Sequence, residues 1–285
     1  MDLTFFQAVV LGVVEGLTEF LPVSSTGHLT IAEKLLGLKI DAPGVTAYTA
    51  LIQAPAILAT FLYFGRKIIR LLSAWFRGLT DAEVRTEHDY TLAWAVIVGS
   101  VPVGIVGFLG KSLIEGALRS LWVVAFALIL WSAVMWLAER RHDQLESTGR
   151  IRGEDDITVT DGLVIGVAQC VSLIPGVSRS GATISAGLFQ GLNRVVATEL
   201  SFFMAIPALT AAGIYETVKS RHDLAGLGVG PILVGMVVSF VVAYASIAWL
   251  LRFVATNSLR SFVTYRVVLG AAVVVALAAG WISAT

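Results

Sequence analysis

One cysteine and a sparse set of charges are what this chain of 285 residues has least of. The lone Cys170 excludes an intrachain disulfide and reads as a small apolar packing residue. Only 14% of the residues are charged, against roughly a quarter in soluble domains, which excludes an ordinary soluble fold. The formal net charge of zero offers nothing to attract nucleic acid. Alternating apolar and polar runs of the kind that build barrel strands are absent, so any membrane-spanning element is helical. No basic region precedes the first apolar stretch, which opens after Asp2 and contains Glu15 and Glu19, so it does not read as a cleaved signal peptide.

What the chain does have is apolar length. Hydrophobic residues make up 56% of it and the mean hydropathy is +0.83. Runs near 45–65, 91–110, 120–138, 198–217, 229–251 and 262–283 each approach or exceed the roughly 20 residues a spanning helix needs. The expectation is an all-α polytopic membrane protein with six transmembrane helices.

Two further apolar stretches are interrupted. The one at 4–21 stops at Pro22, and the one at 162–174 stops at Pro175 and is shorter than a span. Each leads into a Gly/Ser-rich break, PVSSTG or PGVSRSG, and then into a second short helical pattern. Irregular backbone at membrane depth is tolerated only where it is buried in protein or lines a cavity, so both read as re-entrant hairpins, at about 4–38 and 160–192. The hairpins also resemble each other: LGVVEGLTEFLPVSSTG from Leu11 aligns with IGVAQCVSLIPGVSRSG from Ile165, about 154 positions on. The reading is a repeat, 1–138 and 159–285, joined by a cytoplasmic linker at 139–158.

One hairpin plus three spans per half is an odd number of crossings, which inverts the second half relative to the first. The basic residues agree. Arg66, Lys67, Arg70, Arg77, Arg85, Arg140, Arg141, Arg150, Arg152, Arg252 and Arg260 fall on one side. Lys34, Lys39, Lys111, Arg119, Lys219 and Arg221 fall on the other. The richer side is cytoplasmic, so both termini face outward, the first hairpin enters from outside and the second from the cytoplasm. The segment 66–89 reads as a solvated cytoplasmic loop rather than a lipid or nucleic-acid patch, because Asp81, Glu83, Glu87 and Asp89 dilute its charge.

The chemistry sits in the breaks. Glu15 and Glu19 are four apart, so a helix puts both carboxylates on one face, where a shared hard cation such as Mg²⁺ or Ca²⁺ would relieve their repulsion. A proton-sharing pair or a polar helix contact would use the same spacing. His28 follows Ser24, Ser25, Thr26 and Gly27 directly, whereas His88, His142 and His222 fall in loops, which makes His28 the candidate base or nucleophile. In PGVSRSGAT, Arg179 lies between Ser178 and Ser180 ahead of Thr183, on a bend that Gly176 permits. Its planar fork matches phosphate oxygens; the plainer alternative is a pair with Glu15 or Glu19. A carboxylate pair, an imidazole, a hydroxyl and an arginine are the parts that phosphoryl transfer uses.

EGLTEFLPVSSTGH and PGVSRSGAT together resemble the two signature motifs of the undecaprenyl-diphosphate phosphatase family, the bacitracin-resistance type of bacterial integral membrane enzyme. The length and span pattern also fit, with no departure at the motif positions. The resemblance implies hydrolysis of undecaprenyl diphosphate to undecaprenyl phosphate and inorganic phosphate, recycling the lipid carrier of cell-wall synthesis. It implies a site opening to the outer face of the bacterial inner membrane. By position, Glu15 and Glu19 would be the acidic pair, Ser25 and His28 the catalytic hydroxyl and imidazole, and Arg179 the diphosphate clamp. The resemblance leaves open whether Ser25 or His28 attacks phosphorus; nucleophile logic favours Ser25 with His28 as its base. The rival reading is a transporter or flippase, since inverted repeats with broken helices also build those. A transporter has no use for a nucleophile and base together.

Overall fold

The computed structural model describes residues 3–40, 42–116, 118, 120–219 and 228–284. Asp2, Arg119, Arg221 and His222 lie outside the described residues. Among the described residues the regular elements are helical, apart from one isolated β-bridge between Arg152 and Leu192. The helices are α1 Phe5–Thr18, α2 Ser25–Leu35, α3 Pro43–Leu51, α4 Gln53–Tyr63, α5 Gly65–Gly78, α6 His88–Leu109 and α7 Lys111–Glu115. They continue as α8 Leu121–Ser147, α9 Val159–Gln169, α10 Arg179–Phe189, α11 Arg194–Lys219, α12 Val229–Thr256 and α13 Arg260–Ala278.

Six stretches are long and apolar enough to cross a membrane, and each overlaps one of the runs legible in the sequence: Pro43–Tyr63, His88–Leu109, Leu121–Ser147, Arg194–Tyr215, Val229–Thr256 and Arg260–Ala278. The protein is an all-helical, polytopic membrane protein. Three boundaries differ from the sequence reading. The first span breaks at Ile52, where Ser239 of α12 donates its hydroxyl to the freed Ile52 carbonyl. Helix α8 runs nine residues beyond the apolar stretch, to Ser147, so 139–147 is helix rather than linker. Its polar end is held because Glu139 is buried against Arg194 of α11. That extension also buries His142, which is 2% exposed and not a loop residue, while His88 opens α6. Residues 65–78 form a helix rather than a solvated loop.

The interrupted stretches begin and end alike. Thr4 caps α1 in a reciprocal box with Gln7, and Thr158 caps α9 in the same box with Asp161. Arg152 fixes that second cap by holding both Asp161 carboxylate oxygens, at 2.8 and 2.6 Å. The Asp161 hydrogen bond raises the Arg152 guanidinium further above its ordinary value.

Packing crosses between the halves. Helix α1 lies along α12, and α9 lies along α6. Small residues permit both approaches: a Cβ on Gly12 would sit 2.6 Å from the Gly235 carbonyl oxygen, and one on Gly99 would sit 2.5 Å from that of Gly162. The core beneath the breaks is aromatic, with Phe20 edge-on to Phe202 at 5.1 Å between ring centroids. Gly166→Val would drive a side chain into the Gly99 backbone. It is expected to cost about 1–3 kcal/mol or more by overpacking, read as a lower melting midpoint in detergent.

Candidate active site

The two breaks are built on the same strained turn. Ser24 (φ 77°) and Ser178 (φ 80°) are the non-glycine residues with positive φ among those described. Such backbone costs of order 1–3 kcal/mol per residue and persists where surrounding structure enforces it, often at functional sites. Here each serine side chain caps the next helix, accepting from Gly27 N–H at 3.3 Å and from Gly181 N–H at 3.1 Å. The turns thereby aim the starts of α2 and α10, with Ser25 and Arg179 as their first residues, into the region where the breaks meet. A helix leaves its first N–H groups without internal acceptors, so both starts favour an anion.

Glu19 joins the two halves. Its backbone extends α1 by one step, with its N–H on the Glu15 carbonyl at 2.9 Å. One carboxylate oxygen accepts from the Ser25 hydroxyl at 2.6 Å, and the other faces Arg179 at 3.3 Å. The plainer reading of Arg179 is therefore realised in this structure: it is paired with Glu19. The same guanidinium donates to the Glu19 carbonyl at 3.2 Å and the Ser201 carbonyl at 3.0 Å, and its buried Nε–H has no partner among the described residues. The Thr183 hydroxyl completes the chain by donating to Ser201 Oγ at 2.7 Å.

His28 makes no side-chain hydrogen bond to Ser25. Its Nδ1 lies 2.7 Å from the Ser24 carbonyl, and its Nε2 lies 2.7 Å from the Tyr265 hydroxyl. A carbonyl only accepts, so Nδ1 carries the proton and Nε2 is left to accept from Tyr265. The structure thus gives the Ser25 proton a carboxylate neighbour in Glu19 and gives His28 the strained Ser24 backbone to hold. Beside Tyr265, Arg266 is fully buried and bonds carbonyls from both breaks, Pro22 at 3.2 Å and Gly176 at 2.9 Å. Tyr265, Arg266 and Ser201 were not singled out from the sequence. Only the cost of an arginine inside the apolar run 262–283 could have drawn attention to one of them.

The remaining candidates divide. Ser24, Gly176, Ser178, Ser180 and Thr183 are buried, and their polar groups serve the protein itself: Ser180 donates to the Leu21 carbonyl at 2.9 Å and lies 3.1 Å from Ser178 Oγ. Thr26 and Tyr265 are exposed, and Ser25 and His28 are partly so, which makes theirs the open side of the site.

Glu15 tests the metal reading. It is fully buried, neither carboxylate oxygen has a hydrogen-bond partner among the described residues, and the charged groups Glu19 and Arg179 act on it. Unpartnered buried carboxylate oxygens beside a second carboxylate fit a hard divalent cation. A separate group, His142, Asp143 and Glu146, has metal-ligand spacing near the end of α8. There Arg194 and Arg260 already hold Asp143, at 3.0 and 2.5 Å.

Fold and site together define a polytopic membrane protein in which a hydroxyl, a carboxylate and an arginine converge where two helix breaks meet. Residues 8–272 match the family described as "Bacitracin resistance protein BacA", and the chain belongs to that family. It is 54% identical to the undecaprenyl-diphosphatase of Cutibacterium acnes, over 94% of this chain and 95% of that protein. It is 55% identical to undecaprenyl-diphosphatase 3 of Frankia casuarinae, over 98% and 99%. A Mycobacterium undecaprenyl-diphosphatase is 44% identical over 99% of this chain and the whole of that protein.

Proposed function

We propose that the protein hydrolyses undecaprenyl diphosphate to undecaprenyl phosphate and inorganic phosphate, the activity for which these relatives are named. This would return the lipid carrier to cell-wall synthesis and confer bacitracin resistance. The observation that carries the reading is the 2.6 Å hydrogen bond from Ser25 to Glu19, because a transporter has no need of an activated hydroxyl. Ser25 Oγ attacks the terminal phosphorus while Glu19 takes its proton. The bond from that phosphorus to the bridging oxygen breaks, and the prenyl phosphate leaves with the bond's electrons. That phosphate takes the proton held on Glu19. Water then attacks phosphoserine and gives a proton to the freed carboxylate, the bond from phosphorus to Ser25 Oγ breaks, and Glu19 passes the proton to the serine oxygen as inorganic phosphate leaves. Arg179 and the first N–H groups of α2 and α10 hold the phosphoryl oxygens. His28 positions the turn that presents Ser25, with Tyr265 fixing the imidazole.

Glu15 and Glu19 would hold a divalent cation, Mg²⁺ or Ca²⁺, which when bound supplies positive charge to the diphosphate. Chelator is expected to abolish wild-type turnover, and Glu15→Gln to raise the Mg²⁺ concentration at half-maximal rate. Wild-type turnover unaffected by chelator would remove the metal from the account. The proposed setting is the bacterial inner membrane, with both termini outside and the site opening to the outer face. Residues 1–138 and 159–285 are read as inverted repeats whose broken helices are re-entrant. In support, the same caps recur at Thr4 and Thr158 and at Ser24 and Ser178, and each broken helix packs on a span of the other half.

The test is phosphate release from a long-chain prenyl diphosphate by purified protein in detergent with Mg²⁺. Equal amounts of prenyl monophosphate and phosphate are expected. Intact diphosphate binding with no release would favour a carrier of phosphorylated lipid on the same fold.

A further inference from the structure

Helix α5 joins the first span to the second and divides into three faces. Leu71, Ala74 and Gly78 are buried against the protein, with the Tyr90 ring of α6 lying on Gly78. Turning around the helix at 3.6 residues per turn, the next face carries Ile69, Leu72 and Phe76, exposed by 69%, 50% and 61%, and Leu79 continues it just beyond the helix end. The third face carries Arg66, Arg70 and Arg77, all exposed. Asp89 approaches Arg70 at 2.7 Å and Glu87 approaches Arg77 at 3.6 Å, yet both arginine side chains remain more than half exposed, so each keeps donors free.

A solvated loop has no reason to segregate its residues this way. Phe64 ends one membrane-crossing stretch immediately before α5, and α6 begins the next at His88. Both ends of the segment are therefore held at a membrane surface, and its uncovered apolar face meets acyl chains rather than water. A basic face beside it completes the pattern of a helix lying in the interface.

We propose that α5 is an in-plane interfacial helix that binds anionic phospholipid headgroups through Arg66, Arg70 and Arg77. The apolar row Ile69, Leu72, Phe76 and Leu79 is sunk among the acyl chains of the same leaflet. The inference is independent of the catalytic reading, since Glu19 and Ser25 pair with each other and Glu19 with Arg179, whereas Arg70 and Arg77 of α5 pair with Asp89 and Glu87.

The experiment has two arms on the full-length protein. In the first, native mass spectrometry compares phosphatidylglycerol and phosphatidylcholine of matched chains on wild type and on R66Q/R70Q/R77Q. A preference for phosphatidylglycerol is expected in wild type, falling roughly fivefold per arginine removed; the single variants give the same reading if the triple variant folds poorly. In the second, a fluorophore on Phe76→Cys or Ser73→Cys, in a Cys170→Ala background, is placed in phosphatidylcholine and phosphatidylglycerol vesicles. The label at 76 is expected to be quenched by brominated acyl chains and shielded from iodide, and the label at 73 the reverse. Equal iodide access at both positions overturns the proposal. So does a phosphatidylglycerol preference that survives loss of the arginines, even with position 76 shielded.

Discussion

Ser25→Ala is expected to lower kcat for prenyl diphosphate hydrolysis at least ~10³-fold while leaving substrate affinity within a few-fold of wild type. The size follows from what the side chain does. Ser25 is the one hydroxyl donating to the Glu19 carboxylate among the described residues, and removing the attacking atom leaves only binding and charge to act on the phosphoryl group. The fold should be little affected: Ser25 is partly exposed, its hydroxyl makes no other hydrogen bond among the described residues, and alanine suits the first turn of a helix. Rate and affinity therefore separate, and phosphate release set beside a binding titration measures both. A loss of affinity equal to the loss of rate would make Ser25 a binding residue.

Glu19→Gln is expected to reduce kcat by roughly 10²–10⁴-fold, the range for losing a positioned general base. Glutamine keeps the length of the side chain but cannot take the Ser25 proton. It also leaves Arg179 without its carboxylate in a site where the two side chains are 10% and 5% exposed. Uncompensating a buried charge costs about 3–5 kcal/mol, so the melting midpoint should fall as well. Arg179→Lys separates the two contributions, since lysine keeps the charge for Glu19 but not the planar fork. That variant is expected to retain most of the melting midpoint and to lose about tenfold or more in rate. Full activity in Arg179→Lys would assign Arg179 to structure alone.

The spans were legible because length and hydropathy alone decide them. The breaks were legible because Pro22, Pro175 and Gly176 fall where an apolar run gives way to Gly/Ser-rich sequence, whereas Pro102 and Pro207 lie inside uninterrupted apolar runs and are carried within helices. What the sequence hid was partnership. Adjacency in the chain drew His28 toward Ser25, but the positive φ at Ser24 and the helix that follows turn the imidazole onto the preceding carbonyl and toward Tyr265, 237 positions away. Ser25 instead meets Glu19, six residues earlier, because the break folds the chain back across itself. Tyr265 and Ser201 sit inside ordinary apolar runs, where one hydroxyl carries no signal. The amphipathic character of α5 was obscured by counting charges along 66–89 rather than placing them around a helix.

The central claim is that Glu19 works through Ser25. It is tested most directly by the double variant Glu19→Gln/Ser25→Ala, assayed for phosphate release beside each single variant. Residues acting on one proton are not additive, so the double variant is predicted to be no slower than Ser25→Ala alone. Losses that multiply would contradict the account and place Glu19 in a role independent of the serine.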